Sequence, residues 1–132
     1  MCNEHARCER ADHDPAGKAA ALEKALFNTP IRLSAWVAES QSRAIGFATV
    51  TTEFSTWSAC EFLHMDCLFV RESHRGAGAG AALLSNIMQF AREQRCPEIQ
   101  WQTPAWNTAA ERFYRREGAV AKPKLRFVLR AY

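Results

Sequence analysis

The chain has 132 residues, 48% of them hydrophobic and 23% charged, as expected of one globular domain able to bury a core. Its net charge of +3 is mild and its arginines are scattered without a basic run, which argues against a nucleic-acid partner. No apolar stretch approaches the ~18–20 residues a bilayer span needs, the N-terminus is polar, and five irregularly spaced cysteines (Cys2, Cys8, Cys60, Cys67, Cys96) suit a reducing cytoplasm; neither a membrane segment, a signal peptide nor a disulfide framework is expected.

Residues 1–17 are polar, contain Asp14-Pro15 and Gly17, and read as a mobile leader before a single domain over 18–132. Strong helix formers from Lys18 to Phe27 predict a short helix, stopped by Asn28-Thr29-Pro30. Ile31, Leu33, Ala35 and Val37 then alternate with Arg32, Ser34 and Trp36, the period of a strand. The polar tract from Glu39 to Arg43 turns the chain, and Ala44–Thr52 returns as the second strand of an antiparallel hairpin. Glu61–Val70 reads as the central strand. Strict alternation places Phe62, His64, Asp66, Leu68 and Val70 on one face, and Leu63, Met65, Cys67 and Phe69 on the other. Leu84, Ile87, Met88 and Ala91 follow helical spacing, with Leu83 and Phe90 widening the stripe. Pro97 closes that helix, and Ile99, Trp101 and Thr103 mark another strand. Thr108 and Glu111 form a capping box for a helix that Gly118 ends, and Leu125, Phe127 and Leu129 alternate with Arg126 and Arg130 in a terminal strand. This order predicts an α/β domain with a mixed sheet.

The segment Arg75-Gly76-Ala77-Gly78-Ala79-Gly80-Ala81 passes from the central strand into the best helix. A helix N-terminus offers unpaired N–H groups to phosphate oxygens, and glycines let the backbone approach them closely. Alanine at position 81 breaks the Rossmann GxGxxG pattern, and no Gly-Lys-Ser/Thr completes a P-loop. A turn that merely links strand to helix is the bland alternative.

Arg75 to Gly80 spell R-x-x-G-x-G, and here the chain resembles GNAT acetyltransferases. Phe54-Ser-Thr-Trp57, Leu68-Phe-Val70, Trp106-Asn107 and Phe113 to Ala119 extend the likeness to the polyamine/thialysine N-acetyltransferase branch, in the family's order and near its spacing. The resemblance implies a mixed, mostly antiparallel sheet flanked by helices, short of the family's usual first strand and helix. It implies acetyl-CoA as cosubstrate and a primary amine as acceptor. The backbone at Leu68, Phe69 and Val70 would pair with the pantetheine arm and polarise the thioester carbonyl. Arg75, Gly76, Ala77, Gly78, Ala79, Gly80 and Ala81 would hold the pyrophosphate, and Asn107, Ala109 and Ala110 would touch coenzyme A further along. Tyr114 matches the family's general acid toward the coenzyme A sulfur, a role suited to a phenol that stays protonated at neutral pH; a core aromatic is the alternative. Asp66 matches a glutamate that binds or deprotonates the amine, with a structurally paired carboxylate as the alternative. The branch's acidic pair appears here as Asp66-Cys67. Glu53, Gln100 and Gln102 are further candidates for the acceptor site.

Polyamines, lysine analogues and aminoglycosides fit the acceptor class, and a protein or peptide N-terminus is another. A non-catalytic acetyl-CoA-binding or regulatory domain is a competing reading, as is a general interaction module. Cys2, His5, Cys8 and His13 have a metal-like look but lack a matched second pair, so no metal is expected. Cys67 reads as buried packing rather than a nucleophile. A missing first strand leaves the Ile31–Val37 edge open to pairing. With the branch's habit of pairing subunits at the C-terminal strand, this implies a homodimer through Leu125–Tyr132.

Overall fold

The computed structural model describes residues 1–12 and 14–132, which fall into two compact units, Met1–Gln102 and Thr103–Tyr132. The first holds helices α1 (Cys2–Cys8) and α2 (Lys18–Phe27), strands β1 (Ser34–Ser40), β2 (Arg43–Ser55) and β3 (Cys60–Val70), helix α3 (Ala79–Glu93) and the short strand β4 (Ile99–Gln100). The sheet order is β1-β2-β3-β4, with the first two pairings antiparallel and β3–β4 parallel. Tight hairpins force the antiparallel neighbours, whereas the crossover through α3 lets β4 return beside β3 in the same direction. The predicted α/β class with a mixed sheet is what forms.

The core lies between α3 and one sheet face. Leu83, Leu84, Ile87 and Ala91 of α3 are buried, facing β1, β2 and β3, whose Ala48, Val50, Leu63 and Met65 are buried too. Trp36 of β1 meets Phe90 of α3 with ring centroids 5.3 Å apart. Met88, placed on the same stripe by its spacing, is 40% exposed and lies at its margin.

Strict alternation along β3 does not hold. Thr49 pairs with Cys67 and the next residue, Val50, pairs with Met65, so Asp66 is the extra residue of a β-bulge. The insertion reverses the parity of every residue beyond it. Leu68 pairs with Ala48 and Val70 with Gly46, joining Leu63 and Met65 on the α3 face. Cys67 and Phe69 join Phe62 and His64 on the opposite face, where α1 lies: its His5 ring sits 5.8 Å from that of Phe47 and 5.4 Å from that of Phe69. The sequence read no element into residues 1–17, yet Cys2–Cys8 is helical and Glu4 pairs with Arg71 at 3.4 Å.

Other boundaries also differ. β1 starts at Ser34 rather than Ile31, whose side chain is 67% exposed, and the strand expected around Ile99, Trp101 and Thr103 is limited to Ile99–Gln100. In the second unit, α4 spans Thr108–Arg116, and its cap is Asn107 rather than Thr108: the Asn107 Oδ1 accepts from the Ala110 N–H at 3.2 Å. Arg115 bonds Glu111 one turn earlier at 2.8 Å, and Arg116 lies over the Phe113 ring. The expected terminal strand is absent. Leu125, Phe127 and Leu129 are 84%, 87% and 95% exposed, because alternation supplies a strand's faces but no partner for its backbone.

Candidate functional site

Two backbone features of the first unit meet at the end of β3. One is the glycine turn. Gly76 and Gly78 have φ of 78° and 91°, in the left-handed region that costs other residues a steric clash. Those two glycines turn the chain sharply enough for α3 to begin at Ala79 with Gly78 as its N-cap and no side chain over that end. The first intrahelical bond runs from the Ala82 N–H to the Gly78 carbonyl, so the N–H groups of Ala79, Gly80 and Ala81 point out of the helix end. This is an anion-binding geometry, and it borders a groove of about 440 Å³ lined by Ala77, Gly78, Ala79, Ser40, Ser73 and His74. Ser73 and His74, whose Oγ and Nδ1 lie 2.9 Å apart, were not singled out by the motif; they directly precede its Arg75.

Arg75 is held rather than free. Its Nε donates to the Val70 carbonyl at 2.8 Å, its guanidinium lies 5.7 Å from the centre of the Phe69 ring, and one terminal nitrogen is 3.6 Å from the Cys8 sulfur. It fixes the end of β3 and ties α1 to the turn.

The second feature is an open strand edge. β3 pairs with β4 only at Leu63–Ile99 and His64–Gln100, and beyond them no strand covers that edge among the described residues. The Arg71 N–H goes to the Ile45 carbonyl of β2. By alternation Phe69 also turns its peptide groups to β2, while Leu68 and Val70 turn theirs to the open side. With the Val70 carbonyl taken by Arg75, the N–H groups of Leu68 and Val70 stand ready for an extended ligand that adds as a strand. Such a ligand would run along β3 toward the N-terminus of α3, so an amide chain ending in a diphosphate fits both features together.

Asp66 sits on this free stretch, exposed, where the bulge re-aims it out of the regular alternation. Its Oδ2 lies 3.7 Å from the Cys67 sulfur. Burial, helped by the Asp66 charge, pushes the Cys67 thiol up to about 11, so it stays protonated and is a poor nucleophile. Sequence reasoning considered His5 only as part of a metal-like set, in which His13 lies outside the described residues. The structure brings His5 over Phe69 and within electrostatic reach of Asp66, half-buried, with its pKa held below the ordinary histidine value chiefly by burial. No helical stripe in residues 1–17 signalled that placement.

The remaining acceptor candidates are dispersed. Glu53 is exposed on β2 opposite Phe62 and accepts from the Thr51 hydroxyl at 3.1 Å. Gln100, paired with His64, turns its side chain to Glu98 at 3.1 Å, and Gln102 is exposed beyond β4. In the second unit, Asn107 caps α4, Ala109 and Ala110 form its first turn, and Tyr114 packs its ring 5.1 Å from that of Phe113.

The model of the acetyltransferase (GNAT) family matches residues 1–119. The chain is 32% identical over 71 residues to D-amino-acid N-acetyltransferase of Saccharomyces cerevisiae, covering 54% of this chain and 44% of that protein. It is 25% identical over 114 residues to thialysine N-epsilon-acetyltransferase of Caenorhabditis elegans, covering 86% and 69%. The chain spans between 11% and 44% of the length of the first curated relatives it matches. The fold is that of an aminoglycoside acetyltransferase from an uncultured soil metagenomic sample, with a TM-score of 0.82 at 17% identity, over 100% of this chain and 86% of that one.

Proposed function

Because the chain belongs to the GNAT acetyltransferase family, we propose that it moves the acetyl group of acetyl-CoA onto the primary amine of a small molecule by direct attack on the thioester. The observation that carries this is the junction of an uncovered β3 edge with the glycine-built start of α3. Pantetheine amides suit the first, and a pyrophosphate suits the second. An N–H of Leu68 or Val70 then polarises the thioester carbonyl as the tetrahedral oxyanion develops. Tyr114, on the family likeness, protonates the departing thiolate. Asp66, carboxylate and exposed at the bulge, draws the amine to this edge.

Polyamine, lysine analogue and aminoglycoside are the acceptors we propose, since relatives and neighbours in structure carry those names. A protein N-terminus is the next class. We further propose a single acetyltransferase domain that takes in α1 as well as residues 18–132, a cytoplasmic location and a homodimer. Titration calorimetry with acetyl-CoA tests the cofactor site: the wild-type chain binds it, and Gly78→Val weakens binding at least tenfold while the chain still melts cooperatively. Equal affinity in the two proteins would contradict this placement.

A further inference from the structure

Resting on the acetyltransferase reading above, we propose that His5 is the general base that removes the proton from the attacking amine. His5 projects from α1 onto the sheet face opposite α3, packed against Phe47 and Phe69. Phe69 and Asp66 both lie on the stretch of β3 that β4 leaves uncovered. The imidazole therefore stands over the uncovered stretch of β3, on the sheet face opposite α3 and within electrostatic reach of the Asp66 that draws the amine.

Its surroundings suit the task. From its own helix, Glu9 lies 4.0 Å from Nε2, while Glu4 is turned to Arg71. From β3, Asp66 contributes negative charge and Cys67 a protonated thiol; from the turn, Arg75 covers the Phe69 ring; β2 presents Phe47. Burial favours the neutral imidazole, and the carboxylates of Glu9 and Asp66 favour the imidazolium, with burial the larger effect. The ring is thus unprotonated at neutral pH, as a base must be, and its conjugate acid forms next to a carboxylate.

The step balances. The ammonium drawn by Asp66 first loses one proton to solvent. The lone pair of the neutral amine so formed makes the C–N bond to the carbonyl carbon, and His5 takes the second proton from that nitrogen. The C–S bond breaks with its electron pair on sulfur, and sulfur is protonated by the acid assigned above. The imidazolium then gives its proton to solvent, and solvent reprotonates the acid that served the sulfur, which restores both groups.

The test is kcat against pH for the wild-type chain, His5→Gln, and His5→Ala with and without added imidazole, with acetyl-CoA affinity measured by calorimetry in each. Wild-type kcat, and kcat/KM with it, is expected to fall on an acid limb, the kcat/KM midpoint lying below the ordinary histidine value. In His5→Gln, kcat drops by about 10²–10⁴-fold, the acid limb vanishes and acetyl-CoA affinity stays, while imidazole restores part of the His5→Ala rate. Asp66→Asn, which leaves α1 untouched, should move the wild-type limb to lower pH. A His5→Gln enzyme with kcat within twofold of wild type and its acid limb intact would overturn the assignment, as would a limb unmoved in Asp66→Asn. A wild-type chain that releases no coenzyme A with any acceptor fails earlier, and the acetyltransferase assignment falls with it.

Discussion

Tyr114→Phe removes one hydroxyl from the second unit and leaves the ring that packs on Phe113. If that hydroxyl protonates the leaving sulfur, kcat falls by about 10²-fold or more with acetyl-CoA affinity unchanged, read from steady-state kinetics and calorimetry. A non-catalytic acetyl-CoA-binding domain would show no turnover to lose. The Cys67 thiol, raised to about 11 by burial and the neighbouring Asp66, carries a second prediction. Mass-mapped alkylation at pH 8 should label the exposed Cys2 and Cys8 well before Cys67, whose labelling should accelerate only as the pH nears 11. At this scale the sequence was informative wherever residue type limits the chemistry. A carboxylate in an apolar strand and glycines ahead of a helix could be picked out directly. His5 could not, because a histidine in a polar segment gives no sign of which strand it will cover. The bulge was hidden too: an inserted residue in a strand that is apolar on both faces leaves no break in its pattern.

Helices were more legible than strands among the elements. α2, α3 and α4 carry their propensity, stripes and stops within their own residues, whereas a strand exists only through its partner. The strand readings that missed were therefore the short β4, the late start of β1 and the tail; the missed helix is α1, whose short polar segment carries no stripe. At the cap of α4, Asn107→Ala removes the side-chain acceptor for the Ala110 N–H and should cost about 1 kcal/mol in denaturant unfolding. Gly46 of β2 is constrained by its neighbour, since a Cβ there would lie 2.6 Å from the Phe69 carbonyl oxygen. Gly46→Ala should destabilise the domain by about 1–3 kcal/mol and, by pushing on β3, weaken acetyl-CoA binding as well. A variant as stable as wild type would mean the strands part without cost.

For the whole molecule, the uncovered tail sets the expectation. Residues 103–132 contain seven lysines and arginines against two glutamates, and along 122–130 Lys122, Lys124, Arg126 and Arg130 alternate with Leu125, Phe127 and Leu129. Such a segment has one apolar and one basic face and lacks only a strand to join. With β1 forming one edge of the sheet, we expect a homodimer that uses the tail, seen as a two-chain species by sedimentation at micromolar concentration and lost in a Leu125→Asp, Phe127→Asp variant. A wild-type monomer would contradict it. The measurement that bears most directly on function is release of the coenzyme A thiol from acetyl-CoA, with spermidine, thialysine, lysine, an aminoglycoside and a short peptide offered in turn. Release that depends on one of the small amines is the predicted result, and it names the acceptor class at once. No release with any acceptor, from a chain that also fails to bind acetyl-CoA, would contradict the proposed activity.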